Sequence, residues 1–201
     1  MAPPSRGPLS SEERLSKAGR GEQPRGEDSR EPLLVSACLV GLRTRLDGRA
    51  RSDLGVLGLA ADYRLIPVCP EQLGGSPTPR PAAEIQGGSG LEVLQGTARV
   101  FTCEGVDVTA VHVRGAEETL ATARLVGATK AVLKARSPSC GFGQTYDGTF
   151  SHRLAPGSGV AAALLASEGI LVVTEEECLP VLGKKAALPS LAESERSGAG
   201  G

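Results

Sequence analysis

Three cysteines, far apart in the chain, stand in similar surroundings. Cys38 directly follows the apolar run Leu33-Leu34-Val35-Ser36-Ala37, Cys69 directly follows Leu65-Ile66-Pro67-Val68, and Cys140 lies in the loop after the run Lys130 to Ala135. Short apolar runs bounded by Gly and Pro read as buried strands. In an open parallel sheet, ligands gather outside the carboxyl ends of the strands, so cysteines remote in sequence meet there at one crevice. Three soft sulfur ligands suit zinc or an iron–sulfur cluster. Zinc fingers and ribbons usually bring their ligands in Cys-x-x-Cys pairs, and this chain has no such pair. Iron–sulfur clusters normally take four cysteines, so a cubane held by three leaves one iron open to substrate. A plainer reading stands beside this one, in which buried cysteine packs as a small hydrophobe at strand ends.

Small residues surround the three thiols: Gly41 near the first, Pro70 with Gly74 and Gly75 near the second, and Pro138, Gly141 and Gly143 near the third. They let the backbone approach a bulky inorganic ligand and offer amides to its sulfides. Glu71 lies two residues after Cys69, and Ser137 three before Cys140. A carboxylate at a metal moves protons or orients water, and a hydroxyl hydrogen-bonds substrate. Equally, Glu71 caps a following helix and Ser137 organises a Ser-Pro turn. Arg80, in a Gly/Pro-rich stretch, either orients a ring carbonyl or phosphate of a substrate or pairs with Glu84 to hold its loop. Cys103, in a turn, and Cys178, on a last helix, are adequately explained as an exposed thiol and a buried hydrophobe. Lone histidines at 112 and 152 are more often packed or solvated than catalytic. Gly157-Ser158-Gly159 either binds an anion through its amides or simply opens a helix tightly.

The elements that must position these groups alternate along the chain. The strand at Leu33 is followed by a helix that Asp53 caps and that runs to about Asp62, with Leu54, Leu57, Leu59 and Ala60 as its apolar face. A strand ends at Val68, and Glu92 to Thr102 reads as a small hairpin or irregular strands. A long helix follows from Asp107 to about Val126, with Arg114, Glu117, Glu118 and Arg124 as its solvated face, then the strand from Lys130. An Ala/Leu helix from Ser158 to Glu168, a strand from Ile170 to Val173 and a helix from Glu175 to Leu182 complete the series. Such alternation predicts an α/β fold: a single Rossmann-like domain with a mostly parallel sheet flanked by helices. The domain occupies residues 33–183. Residues 1–32 read as a disordered N-terminal tail and 184–201 as a flexible C-terminal one, both too poor in apolar surface to order themselves.

Composition excludes several classes. The 201 residues carry 22 Lys+Arg and 23 Asp+Glu, a formal net charge of −1, which argues against a nucleic acid polymer or an anionic membrane as partner. Aromatics are only 2%, too few for a base-stacking platform. No apolar run approaches the roughly 20 residues of a membrane helix, and the polar N-terminus, rich in acids, is neither a secretory signal nor a mitochondrial transit peptide. An odd count of five cysteines argues against a disulfide framework. The expectation is a soluble cytoplasmic protein.

Several linked motifs carry a family resemblance: Val35-Ser36-Ala37-Cys38-Leu39-Val40-Gly41, Pro67-Val68-Cys69-Pro70-Glu71 with Gly74-Gly75, Pro79-Arg80-Pro81-Ala82-Ala83-Glu84-Ile85, Lys134-Ala135-Arg136-Ser137-Pro138-Ser139-Cys140-Gly141 and Tyr146-Asp147-Gly148. Together, over about Leu33 to Cys178, they resemble the thiouracil desulfidase family. The resemblance implies a [4Fe-4S] cluster held by Cys38, Cys69 and Cys140 with its fourth iron open, and catalytic roles for Glu71 and Ser137. It implies a non-redox conversion of the thiocarbonyl of a small thiolated pyrimidine such as 2-thiouracil to a carbonyl, with release of hydrogen sulfide. Where many relatives have Arg-Tyr-Asp-Gly, this chain has Arg45-Leu46-Asp47-Gly48, and so lacks an aromatic that would flank substrate. A competing reading is a non-catalytic iron–sulfur or metal-binding module that senses or transfers sulfur.

Overall fold

The computed structural model describes residues 28–183, and the two tails expected at 1–32 and 184–201 fall largely outside them. Four parallel strands make the central sheet, in the order β2-β1-β5-β8: β1 Glu31–Ser36, β2 Tyr63–Val68, β5 Lys130–Leu133 and β8 Leu171–Thr174. β1 starts at Glu31, two residues before the expected Leu33. Two small antiparallel pairs lie outside this sheet, β3 Ala83–Gln86 with β4 Arg99–Thr102, and β6 Gln144–Tyr146 with β7 Leu154–Pro156.

The period of two along β1 sends alternate side chains to opposite faces. Leu33 and Val35 pack with Val56, Leu59, Val132 and Val173 on one face. Leu34 packs with Leu120, Ala131, Leu133 and Leu165 on the other. Burying each of these leucines contributes about 2 kcal/mol, so both faces hold β1 in register. The first face is covered by α1 (Leu54–Gly58) and α6 (Cys178–Leu182), the second by α4 (Thr109–Val126) and α5 (Val160–Ser167). With so few rings the core is aliphatic. Tyr63 is its one largely buried aromatic among the described residues, its hydroxyl donating to the Leu182 carbonyl at 3.3 Å.

Asp53 caps α1 as expected, its carboxylate accepting the Val56 amide at 3.0 Å. The apolar face does not follow the expectation. Val56 and Leu59 are buried while Leu54 is 85% exposed and Leu57 also faces outward, because α1 ends after five residues and a tight 3-10 turn (Leu59–Ala61) rotates the chain. The hairpin expected over Glu92 to Thr102 is also corrected. α3 (Gly90–Leu94) occupies its first part, started by a capping box in which Ser89 and Glu92 satisfy each other's amides, and only Arg99–Thr102 is strand. Arg114, Glu117, Glu118 and Arg124 are exposed, as their charge pattern required, and Arg124 pairs with Glu168.

One helix contact sets the position of the second cysteine. The short helix α2 (Pro70–Leu73) lies on α4 so closely that a Cβ on Gly115 would stand 2.0 Å from the Pro70 carbonyl oxygen, and one on Gly74 would stand 2.0 Å from that of Val111. Gly74 therefore serves backbone packing, not the approach of a ligand. We expect Gly115→Ala to cost about 3 kcal/mol through this overlap and to lower the thermal midpoint by about 10 °C. Gly58→Ala, where a Cβ meets nothing within 4 Å, is expected to leave the melting curve in place.

Candidate active site

The ends of β1, β2 and β5 open on the same edge of the sheet because the three strands are parallel and paired, Leu34 opposite both Ile66 and Ala131. Cys38 sits in the 3-10 turn Ala37–Val40 that leaves β1, Cys69 is the residue that starts α2 after β2, and Cys140 is in the loop after β5. Cys38 and Cys140 are buried and Cys69 is half-buried. The three sense one another electrostatically. Burial pushes the Cys38 thiol up, the neighbouring Cys69 adds to this, and Lys134 and Arg45 oppose it. Burial raises Cys140 far more, with Cys69, Glu71 and Cys38 contributing. Cys103 is exposed, and Cys178 is fully buried in the apolar cluster with Val56 and Leu182.

Each segment is fixed by its own backbone. The loop from Arg136 opens with a left-handed residue, Arg136 at φ 63°, which costs about 1 kcal/mol in a non-glycine residue. Its guanidinium is tied to Glu176 at 2.5 Å. Ser137 then accepts the amides of Ser139 at 3.1 Å and Cys140 at 3.2 Å, the turn-forming role open to it. With its oxygen so engaged, the hydroxyl proton is left to donate. The first amides of α5 are taken by this loop: Val160 donates to Pro138 at 2.8 Å, Ala161 to Ser139 at 3.0 Å and Gly159 to Gly141 at 2.8 Å. The Gly157-Ser158-Gly159 segment is thus a tight helix start and holds no free anion cradle.

Arg80 donates to Glu71 at 2.5 Å, with both side chains largely buried, and also to the Thr44 carbonyl at 3.2 Å. It does not pair with Glu84, whose carboxylate accepts the Phe150 amide at 3.0 Å. Glu71 stands in the first turn of α2 with its carboxylate committed to Arg80 rather than to capping. Leu46, half-exposed, offers its carbonyl to the Arg80 amide at 2.9 Å, so the chain's departure from the family pattern lies beside this pair. A cleft of about 380 Å³ opens next to Cys69, walled by Ala37, Leu42, Thr44, Gln72 and Thr122 among others; its walls do not include Glu71 or Ser137.

The sequence reading set His112 aside and gave Ser36 no role of its own. His112 on α4 is 2% exposed, faces the Glu71–Arg80 pair electrostatically, and has Nδ1 on the Val108 carbonyl at 3.1 Å. Ser36, the buried last residue of β1, accepts the Lys134 amide at 2.8 Å. An oxygen-bearing side chain where the strand pattern calls for an aliphatic one was the available signal for Ser36. A single histidine inside a long helix carried none.

The donor set suits a cluster. Thr44 Oγ1, Ser139 Oγ and His112 Nε2, all on segments that build this edge, are buried without a hydrogen-bond partner. Such orphans cost about 1–3 kcal/mol each until a ligand meets them. Lys134, Arg45 and Arg80 bring positive charge to the three thiols. Among the described residues no Cys, His, Asp and Glu side chains are grouped to hold a single metal ion. A cubane gives each thiolate a separate iron, so its ligands stand farther apart than those of one zinc ion.

An α/β sheet that gathers three thiols and a carboxylate–guanidinium pair at its carboxyl edge defines a cysteine-lined site of the kind that holds a soft metal or cluster. The comparisons make this specific. The family model described as 2-thiouracil desulfurase matches residues 33–177, and the chain belongs to that family. It is 45% identical over 150 residues to the uncharacterized protein YbbK of Bacillus subtilis (strain 168), covering 75% of this chain and 99% of that one. It is also similar, at a TM-score of 0.66 and 42% identity, to the solved structure of the [4Fe-4S]-dependent thiouracil desulfidase TudS, covering 75% of this chain and 94% of that one.

Burial holds His112 neutral, its pKa below the ordinary 6.5, with Arg80 reinforcing this and Glu71 opposing it. The unfolded chain takes up this proton below pH 6.5 and the folded chain does not, so the contribution is complete above that pH and is lost as pH falls. We expect stability to fall as pH drops below 6.5, and His112→Gln to make that fall shallower, measured by urea unfolding on either side of pH 6.5.

Proposed function

We propose that the chain is an iron–sulfur-dependent desulfidase that converts the thiocarbonyl of a small thiolated pyrimidine to a carbonyl. The observation that carries this reading is the placement of Cys38, Cys69 and Cys140 after the ends of three parallel, paired strands, with Glu71 and Arg80 paired just after Cys69. Membership of the 2-thiouracil desulfurase family and the likeness to TudS support the substrate class. A cleft of about 380 Å³ at Cys69 is within the size range of small-molecule sites. Among the described residues no helix is long and apolar enough to cross a membrane. Five free thiols fit a reducing compartment such as the cytoplasm.

Cys38, Cys69 and Cys140 would hold the cluster as thiolates. A bound [4Fe-4S] cluster with three protein ligands would supply Lewis-acid chemistry at an open iron, suited to a soft thiocarbonyl sulfur. The chain supplies proton handling and orientation. Glu71 would take a proton from the attacking water, while Arg80 fixes the position of its carboxylate. Ser137, its oxygen held by two amides, presents its hydroxyl proton to the substrate. Arg80, whose guanidinium is engaged by Glu71, Thr78 and the Thr44 carbonyl, would help orient the substrate from beside Glu71. A carbon–oxygen bond replaces the carbon–sulfur bond, sulfur leaves as hydrogen sulfide, and no electron is gained or lost.

Glu71→Gln keeps the shape and a hydrogen bond to Arg80 but cannot take up a proton. We expect sulfide release from 2-thiouracil to fall at least about 100-fold with iron content unchanged. A wild-type chain that binds iron yet releases no sulfide would favour the sulfur-sensing or sulfur-transferring module instead.

A further inference from the structure

The cleft beside Cys69 has a buried hydroxyl on its wall that nothing in the protein meets. Thr44 is pinned by its main chain: its amide donates to the Leu42 carbonyl at 2.9 Å, and its own carbonyl accepts Arg80 Nη2 at 3.2 Å and lies 3.8 Å from Cys69 Sγ. Its hydroxyl is buried without a hydrogen bond, and the residue lines the cleft. A ligand acceptor that meets such a group recovers the cost of burying it. The other polar side chains on the walls are wholly or partly committed. Thr122 donates to the Glu118 carbonyl at 2.8 Å. Gln72 donates its Nε2 to Thr78 Oγ1 at 2.9 Å, which leaves Oε1 to accept. Leu42, Val68 and Leu73 supply apolar wall. The turnover assigned above gives Thr44 no role.

An apolar cleft with one unmet donor and one open acceptor matches the –NH–C(=O)– edge of a pyrimidine. Glu71 and Ser137 are not on its walls, so the cleft suits the end of the ring remote from the reaction, with the thiocarbonyl directed past Cys69. We propose that Thr44 is a specificity-determining residue: its hydroxyl donates to the ring carbonyl that the reaction leaves untouched, while Gln72 Oε1 accepts the neighbouring ring N–H. This rests on the reading of the chain as a desulfidase of thiolated pyrimidines.

The test uses two substrates, 2-thiouracil, which carries that carbonyl, and pyrimidine-2-thione, which lacks it. Sulfide release from each is measured on the reconstituted wild type, Thr44→Val and Thr44→Ser, together with iron per chain and calorimetric binding of the product uracil. The wild type is expected to favour 2-thiouracil in kcat/KM at least about tenfold. Thr44→Val, which keeps the shape and loses the hydroxyl, is expected to lose about that factor, mainly through KM, and to bind uracil about tenfold more weakly, while Thr44→Ser retains the preference. A residue that only packs would slow both substrates alike, and an unchanged ratio in Thr44→Val overturns this inference alone. If Thr44→Val fails to fold, the wild type decides: a tenfold preference supports the inference, and equal kcat/KM for the two substrates overturns it. A wild-type chain with full iron that releases sulfide from neither overturns the thiolated-pyrimidine reading, and this inference with it.

Discussion

Parallel pairing of β1 with both β2 and β5 is the constraint from which the site follows. Three strands running the same way must end on the same edge, so residues 38, 69 and 140 are brought together by register and not by any contact between their side chains. The pairing is held by aliphatic side chains on both faces of β1, Leu33 and Val35 on one, Leu34 on the other. A slip of one residue would exchange those faces and bury Ser36 on the wrong side. Stability of the core and geometry of the thiols are thus one property of this sheet.

What the sheet brings close, the connecting backbone then fixes. α2 rests on α4 through Gly74 and Gly115, which carries Cys69 and Glu71 to a set depth. The loop bearing Cys140 fills the amide positions at the start of α5, and Ser137 closes that loop on itself. Neither device leaves much freedom, as a preorganised site requires. Charge is arranged around the thiols as well: Lys134, Arg45 and Arg80 stand near them, each paired with a carboxylate, Glu175, Asp47 and Glu71 respectively.

Much of this was legible in the residues. Four apolar runs gave the four strands of the central sheet, and the position of each cysteine just past a run gave the edge where they meet. The miss at Glu92 came from reading Val93 and Leu94 as strand when Ser89 and Glu92, three apart, form a capping box that starts a helix. Gly74 was read as room for a ligand, but whether a glycine faces a ligand or another helix depends on the packing of α4, which starts 39 residues after α2 starts and is invisible locally. The partner of Arg80 was open between a substrate and Glu84, and the structure chose Glu71, nine residues away. His112 could not have been found by pattern, since its significance lies only in facing Glu71 and Arg80 across two helices.

The central claim is that Cys38, Cys69 and Cys140 together hold one iron–sulfur cluster. The most direct test is iron and acid-labile sulfide per chain after anaerobic reconstitution, in the wild type and in five single Cys→Ala variants. The account predicts about four of each in the wild type, a large loss in the variants at 38, 69 and 140, and wild-type values in those at 103 and 178. Full iron in Cys140→Ala, or a wild type that binds a single zinc ion and no sulfide, would contradict it.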